Sequence, residues 1–348
     1  HNRNHTLLCN ELLDKTFLEH YNMANTLKIG IPRALFYYNY YPFCKNFFTG
    51  LGAEVIVSEK TNKDILQQGL KASINELCIT IKLLYAHILN LSGKADYIFL
   101  PYIITLDTVS YICPKLIAAP DMVKCNFPHT SLLSVDIDMN NFYTSLLFSV
   151  KEISLKLGVN PLKIVALYKE AMALQRKFEN YVHKGYFFEE ALQKIESKKV
   201  AQLSKKEGIT LAIIGHSYII NDAYITSDLI GKLMMRDATI VTSDMVSQKI
   251  INEEVSSLEK MPHWTLGNRV LGSALYYAHK KQIDGIIYVI PFGCSSDSLI
   301  KEYIEANIRG KKPFMTLTID EHSGDTGQDI RVEAFLDMIE RKNENRLL

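Results

Sequence analysis

The chain has 348 residues, 47% of them hydrophobic and 22% charged, with a net charge of +1. Those values fit a globular chain with a real core, favour two domains over one, and exclude the clustered basic excess of a nucleic-acid footprint. Six cysteines in a chain this long are not a disulfide framework, no apolar run reaches the roughly 18 residues of a membrane span, and the polar amino end lacks the apolar segment of a signal peptide, so a cytoplasmic setting with reduced thiols is expected.

Residues 1–26 read as a polar tail, and Cys9 lies in it. A first α/β lobe is expected over 27–137. Leu27–Pro32 reads as a buried strand, Tyr38–Leu51 as an aromatic helix closed by Gly52, and Glu54–Val57 as a short β-branched core strand. Asn62–Gly69 reads as a short helix, and Ile79–Leu91 as a longer one with apolar residues at 81, 84, 88 and 91. Ala95–Pro101 is a third strand, stopped by proline, and the loop after it carries Cys113. Residues 138–207 form a helical connector, with Leu162–Tyr181 and Glu189–Lys199 as its helices; the Lys198–Lys199 and Lys205–Lys206 pairs read as a solvated face.

A second α/β lobe is expected over 208–348. Its strands are Ile209–Gly215, Ala238–Val241, Asp284–Ile290 and Phe314–Thr318, and its helices are Tyr224–Met235, Leu266–Lys280, Asp297–Asn307 and Arg331–Arg341. Asp297 or Ser296 is the expected cap of the third of these helices. Each half opens with a strand and later has an Asp-containing strand leading to a cysteine loop. The fold class is therefore α/β: two Rossmann-like lobes with parallel sheets, joined by helices, with a cofactor site in the cleft between them.

Cys78, Cys113 and Cys294 each sit beside a helix-like run, the latter two after a strand-like one. Three thiolates meeting at the carboxyl edges of parallel sheets would suit an iron–sulfur cluster with one open iron position. The alternative stays open on residue type alone, because free cysteine is commonly a small buried hydrophobe. No Cys-x-x-Cys is present, which excludes zinc-ribbon and ferredoxin spacings, and no Walker motif is present.

From Lys28 onward the chain resembles the CoA protein activase, or acyl-CoA dehydratase activase-related, family, which is similar to the D-component of 2-hydroxyacyl-CoA dehydratases. The segments that carry the resemblance are Gly30–Leu35, Tyr41-Pro42-Phe43, Leu51–Val55, Glu76-Leu77-Cys78 with Lys82 and His87, Ile112–Lys115, Ala119–Met122, Ile214-Gly215-His216, Phe292-Gly293-Cys294 with Asp297-Ser298, Asp320–Gly324 and Arg331–Phe335. The resemblance implies a [4Fe–4S] cluster ligated by Cys78, Cys113 and Cys294, with the fourth iron open. It further implies low-potential electron transfer or reductive chemistry on an acyl-CoA substrate, with an ATP-dependent activator protein as electron donor. The chain departs from the family pattern at Ala86, where the family has Gly, at Ser295-Ser296 after Cys294, and at Ser323 and Asp325.

Two other readings stand beside this one. One is a non-catalytic, cluster-binding partner or regulator, consistent with the lack of an identifiable acid–base pair. The other is a double-cubane cluster held by six cysteines, which would have to recruit Cys44 from an aromatic helix and Cys125 from beyond Cys113. An enzyme of the first kind would be a dehydratase-like lyase or the component of an ATP-dependent reductase. The relatives work as heterodimers, and the sequence leaves a dimer open. No nucleic-acid or membrane partner is expected.

Arg33, His216, Ser295, Glu321 and His322 are the remaining candidates for holding the cofactor or substrate. Arg33 either binds an anion or ties its loop to Glu76. The Asp320–Asp325 block either bonds to cluster and substrate or caps a helix with its own backbone. His87 reads as a satisfied core histidine.

Overall fold

Short β-branched runs bounded by Gly, Ser and Pro become parallel strands, and the apolar-periodic runs between them become the helices that cover the strands. The computed structural model describes residues 26–198, 208–321 and 325–347. The tail through residue 25, with Cys9, lies outside them, as do Lys199, Lys205, Lys206 and His322.

The first lobe runs β1 (Lys28–Ile31), α1 (Tyr37–Leu51), β2 (Glu54–Val57), α2 (Lys63–Lys71), α3 (Ile79–Leu91), β3 (Tyr97–Phe99), β4 (Tyr102–Thr105), α4 (Pro114–Ile117), α5 (Ala119–Asn126), β5 (Leu132–Leu133) and β6 (Asp136–Asp138). Its main sheet has the order β2-β1-β3-β5 and is parallel throughout, with Ile29 paired to both Val55 and Tyr97. The connector supplies α6 (Phe142–Leu157), α7 (Pro161–His183) and α8 (Phe188–Ile195).

The second lobe runs β7 (Thr210–Ile214), α9 (Ser217–Ile220), α10 (Leu229–Met235), β8 (Thr239–Thr242), α11 (Gln248–Ser256), α12 (Thr265–His279), β9 (Gly285–Pro291), α13 (Ser295–Ile308), β10 (Phe314–Ile319) and α14 (Asp325–Leu347). Its sheet is also parallel, in the order β10-β9-β7-β8. In each lobe the first strand is flanked by the second on one side and the third on the other. The strand order therefore reverses at β1/β3 and at β7/β9, and open α/β sheets hold ligands at that point of their carboxyl edge. The expected α/β class with parallel sheets flanked by helices is what the chain forms.

Every residue of β9 is buried, as a strand covered by helices on both faces requires. Burying one Ile or Val side chain contributes about 1.5–3 kcal/mol, so this strand anchors its lobe. A continuous apolar core runs from Ile29 and Phe48 of the first lobe through Phe178 and Phe188 of the connector to Ile213 and Ile287 of the second. Asn39 Nδ2 donates to Ser217 Oγ at 3.0 Å, and Gln175 Nε2 donates to the Asn39 carbonyl at 2.7 Å, so polar contacts tie the same three parts together.

Several elements differ from the sequence reading. The helix expected from Tyr224 begins only at Leu229, because Ser227 and Asp228 both adopt left-handed backbone, with φ of 53° and 52°, and a right-handed helix cannot pass through that conformation. The segment after Pro101 does not stay a loop: β4 pairs with β6 as a separate two-stranded parallel sheet. α9 and α11 are additional helices, and the last helix starts at Asp325 instead of Arg331. Among the described residues no helix is long and apolar enough to cross a membrane.

Candidate functional site

Cys78, Cys113 and Cys294 occupy the same local position: each is the residue immediately before a helix, capping α3, α4 and α13 in turn. α13 is thus capped by Cys294, without a side-chain cap bond, and not by the expected Asp297 or Ser296. The unpaired N–H groups of a helix start favour negative charge, which suits a thiolate there. Gly293 supplies the left-handed turn before Cys294, with φ of 71°.

Thiols from both lobes act on Cys78. Burial pushes the Cys78 thiol up; the Ile81 N–H and Lys115 oppose this, while Cys294 and Cys113 add to it. The buried Tyr218 hydroxyl is raised well above its ordinary value by burial, then by Asp297 and by Cys294, Cys78 and Cys113 together. The Cys113 loop is stitched to the second lobe: Tyr111 bridges Trp264, Tyr111 N–H donates to the His263 carbonyl at 2.9 Å, and Ser110 Oγ lies 2.8 Å from Thr265 Oγ1.

His216 follows β7 and packs beside Cys294. Gly215 permits this, since a Cβ there would lie 2.8 Å from the Val289 carbonyl of the neighbouring strand. The His216 ring is 6% exposed and Asp297 is 0% exposed, with Nε2 2.8 Å from Oδ1. Burial opposes a charged imidazole, but Asp297, through its charge and hydrogen bond, and then Cys294 outweigh it and lift His216 to about 10. The ring also stacks on Tyr218 at 5.1 Å. The Tyr288 hydroxyl is buried beside Asp297, and burial first, then Asp297 and Cys294, pushes it well above its ordinary value.

Glu321 does not face the thiols as a free carboxylate. Its Oε1 accepts from Lys82 Nζ at 2.5 Å, and Lys82, one turn after Cys78 in α3, is 3% exposed. This pair links the lobes. Ser295 opens α13 as an exposed neighbour of Cys294. Arg33 ties its loop to Ser58 and not to Glu76: its N–H donates to Ser58 Oγ at 2.7 Å and its Nε to the Ser58 carbonyl at 3.2 Å, with the guanidinium 4.9 Å over Tyr37. Arg33 is therefore a loop anchor in this structure.

His87 is the satisfied core histidine expected. Its Nδ1 is 2.9 Å from Ser58 Oγ and its Nε2 3.2 Å from Thr61 Oγ1, and Thr61 in turn donates to Asp222 of the second lobe. Burial first, then Arg33, lowers His87 to about 3, so it is neutral. Cys44 is buried in the aromatic helix, where burial pushes its thiol up to about 12. Cys125 is exposed on α5.

The sequence reading gave no role to Lys82, Tyr218 or Tyr288, and misassigned Asp297. Asp297 did leave a signal. It continues the stripe Ile300, Ile304 and Ile308, which is the buried face of α13, and an acid on an apolar stripe must be buried and paired.

Among the described residues, no three His, Cys, Asp or Glu side chains close tightly enough to hold a metal ion. The three cysteines are thus not a compact single-ion site of the zinc type, whose ligands crowd one atom. Lys115 lies beside the Cys78 thiol and the His216 imidazole beside Cys294, so positive charge accompanies the sulfurs.

The comparisons with known proteins add one match. The sequence model of a family described as CoA enzyme activase uncharacterised domain matches residues 28–246. No curated protein matches the chain.

Proposed function

Given that the chain belongs to the CoA enzyme activase domain family, we propose that it is an iron–sulfur component of an acyl-CoA dehydratase-type system, holding a [4Fe–4S] cluster through Cys78, Cys113 and Cys294. The observation that carries this reading is that all three cysteines cap helix starts, with Cys113 and Cys294 both acting on the Cys78 thiol and all three on the Tyr218 hydroxyl. Such a cluster supplies one-electron chemistry at low potential and an iron position open to a substrate oxygen.

The residues of this chain would hold and tune that chemistry. Cys78 and Cys113 come from the first lobe and Cys294 from the second, so a cluster would also clamp the lobes together. His216, fixed by Asp297, gives Cys294 a charged neighbour. Lys115 offsets the thiolate charge from the side of Cys78. Glu321 is taken by Lys82 and so is not free for acid–base work, which favours electron transfer over dehydration by this chain alone. The partner reading follows: an ATP-dependent activator donates the electron, and an acyl-CoA thioester is the substrate class of the assembled system.

The test is anaerobic reconstitution with iron and sulfide, read by iron and sulfide assay and electron paramagnetic resonance. Cys78→Ala, Cys113→Ala and Cys294→Ala should each remove most of the bound iron. Unchanged iron in all three variants overturns the proposal.

A further inference from the structure

A cavity of about 300 Å³ lies between α1, β6, α6 and α7 and extends to Leu116 of α4; Cys78, Cys113 and Cys294 do not line it. Its wall is aromatic and aliphatic: Tyr40, Phe43 and Phe47 from α1, Ile137 from β6, Leu146 from α6 and Tyr168 from α7. No Lys, Arg or His lines it, and its two charged lining residues are Asp136 and Asp138. Asp138 is committed to the protein. It accepts from Thr105 Oγ1 at 2.7 Å, from the Asn140 N–H at 3.0 Å and from Asn141 Nδ2 at 2.8 Å. The hydroxyls of Ser145 and Ser149 both donate to the Asp136 carbonyl. The wall thus offers mainly apolar surface, two serine hydroxyls already in use, tyrosine rings with their hydroxyls, the Cys44 thiol, and acidic charge that repels an anion.

The helix that covers the cavity is a second observation. Leu146, Val150 and Ile153 of α6 line the space, while Tyr143, Leu147 and Phe148 on the same helix are 81%, 71% and 56% exposed. A helix apolar on both faces belongs in a buried setting or beside a hydrophobic ligand, and exposed apolar patches mark such binding places. Protein interiors leave few voids larger than a water molecule, and dry apolar cavities take up hydrocarbon.

We propose that this cavity binds an uncharged alkyl or aryl chain, admitted beside α6. The chain belongs either to an acyl thioester or to a free neutral lipid. The inference goes beyond the cysteine reading and stands apart from it, because Cys78, Cys113 and Cys294 do not line the cavity.

The test is isothermal titration of the full chain with straight-chain alkan-1-ols from butanol to decanol. Affinity should rise about fourfold per methylene, and decan-1-ol should bind at least about tenfold more tightly than decanoate at pH 8, since the carboxylate finds no cation. Leu146→Trp puts a bulkier side chain into the space and should weaken binding of the longest alcohols most, while the protein stays folded. If that variant fails to fold, the wild-type series still decides. A flat chain-length series, or decanoate equal to decanol, overturns the proposal, as does the absence of binding at about 1 mM. Decanoyl-CoA matching decan-1-ol assigns the chain to a thioester, and decan-1-ol alone assigns it to a neutral lipid; both outcomes support the cavity. Repeating the titration on the Cys78→Ala, Cys113→Ala, Cys294→Ala triple variant separates the two sites. Unchanged affinity is expected there, and loss of binding places the ligand at the thiols and overturns the inference.

Discussion

The two lobes share one strand order and use it differently. In the second lobe the third strand, β9, is buried along its whole length and runs directly into the Gly293 turn and Cys294. In the first lobe the third strand, β3, is short, and the chain passes through β4 of a separate sheet before it reaches Cys113. The second lobe fixes its cysteine from within, by the buried His216–Asp297 pair. The first lobe fixes its two from outside, by Lys82–Glu321 and by the Tyr111 and Ser110 contacts, all of which cross to the second lobe. The difference teaches that one lobe is a rigid platform for its thiol, while the other depends on its neighbour.

The sharpest way to break this comparison is Asp297→Asn. It removes the carboxylate that keeps the buried His216 ring charged, and losing one member of a buried pair costs up to about 3–5 kcal/mol. Urea unfolding should show that loss, and a change under 1 kcal/mol would mean that the platform does not depend on the pair.

Acid should probe the first lobe instead. His87 is held near 3 when folded and returns to about 6.5 when unfolded. Because the folded value is depressed, its stabilising contribution is present above pH 6.5 and is lost as the pH falls toward 3. Within that window stability should fall by about 1.4 kcal/mol per pH unit on this account alone. His87→Gln, which keeps a polar side chain but does not titrate, should flatten the pH dependence of the urea midpoint by about that slope. An identical slope in the variant would move the proton uptake to another residue.

Lys82→Met tests the link between lobes. Lys82 is buried and Glu321 is partly exposed, so the expected cost lies between the surface and buried limits, about 1–3 kcal/mol. Hydrogen exchange should quicken at the carboxyl end of β10 while β9 stays protected; uniform quickening across both lobes would count against a local latch.

The smallest effect is expected at Asn62→Ala. It removes the Oδ1 that accepts from the Ile65 N–H at 3.0 Å at the start of α2, worth about 1 kcal/mol. Thermal unfolding should register it without any change in thiol reactivity at Cys78.

Much of the fold was legible because the signals were local. Glu54–Val57 and Ile79–Leu91 have the same bounds in sequence and structure, since a short β-branched run between Gly52 and Ser58 and a helix-spaced apolar run each carry their own period. β4 and β6 were not legible, because each exists only by pairing with the other across some thirty residues. The shortened α10 was missed because left-handed backbone at Ser227 and Asp228 has no marker as clear as glycine. At the site, the cysteines and His216 were visible as chemistry-bearing residues beside helix starts. Their partners were not, because Asp297, Lys82 and Tyr218 come from distant segments and identical residue types at the surface would mean nothing.

By itself the amino-acid sequence determined the α/β class, the parallel strands and the placing of three cysteines at the heads of helices, since each follows from hydrophobic period and from neighbours within a few residues. Only the tertiary structure decided that Cys113 and Cys294 bear on the Cys78 thiol, that Arg33 anchors a loop and Glu321 is held by Lys82, and that α6 covers an apolar cavity. Those outcomes depend on contacts between segments far apart in the chain, and burial gives a side chain its partner and its charge only once such segments have packed together.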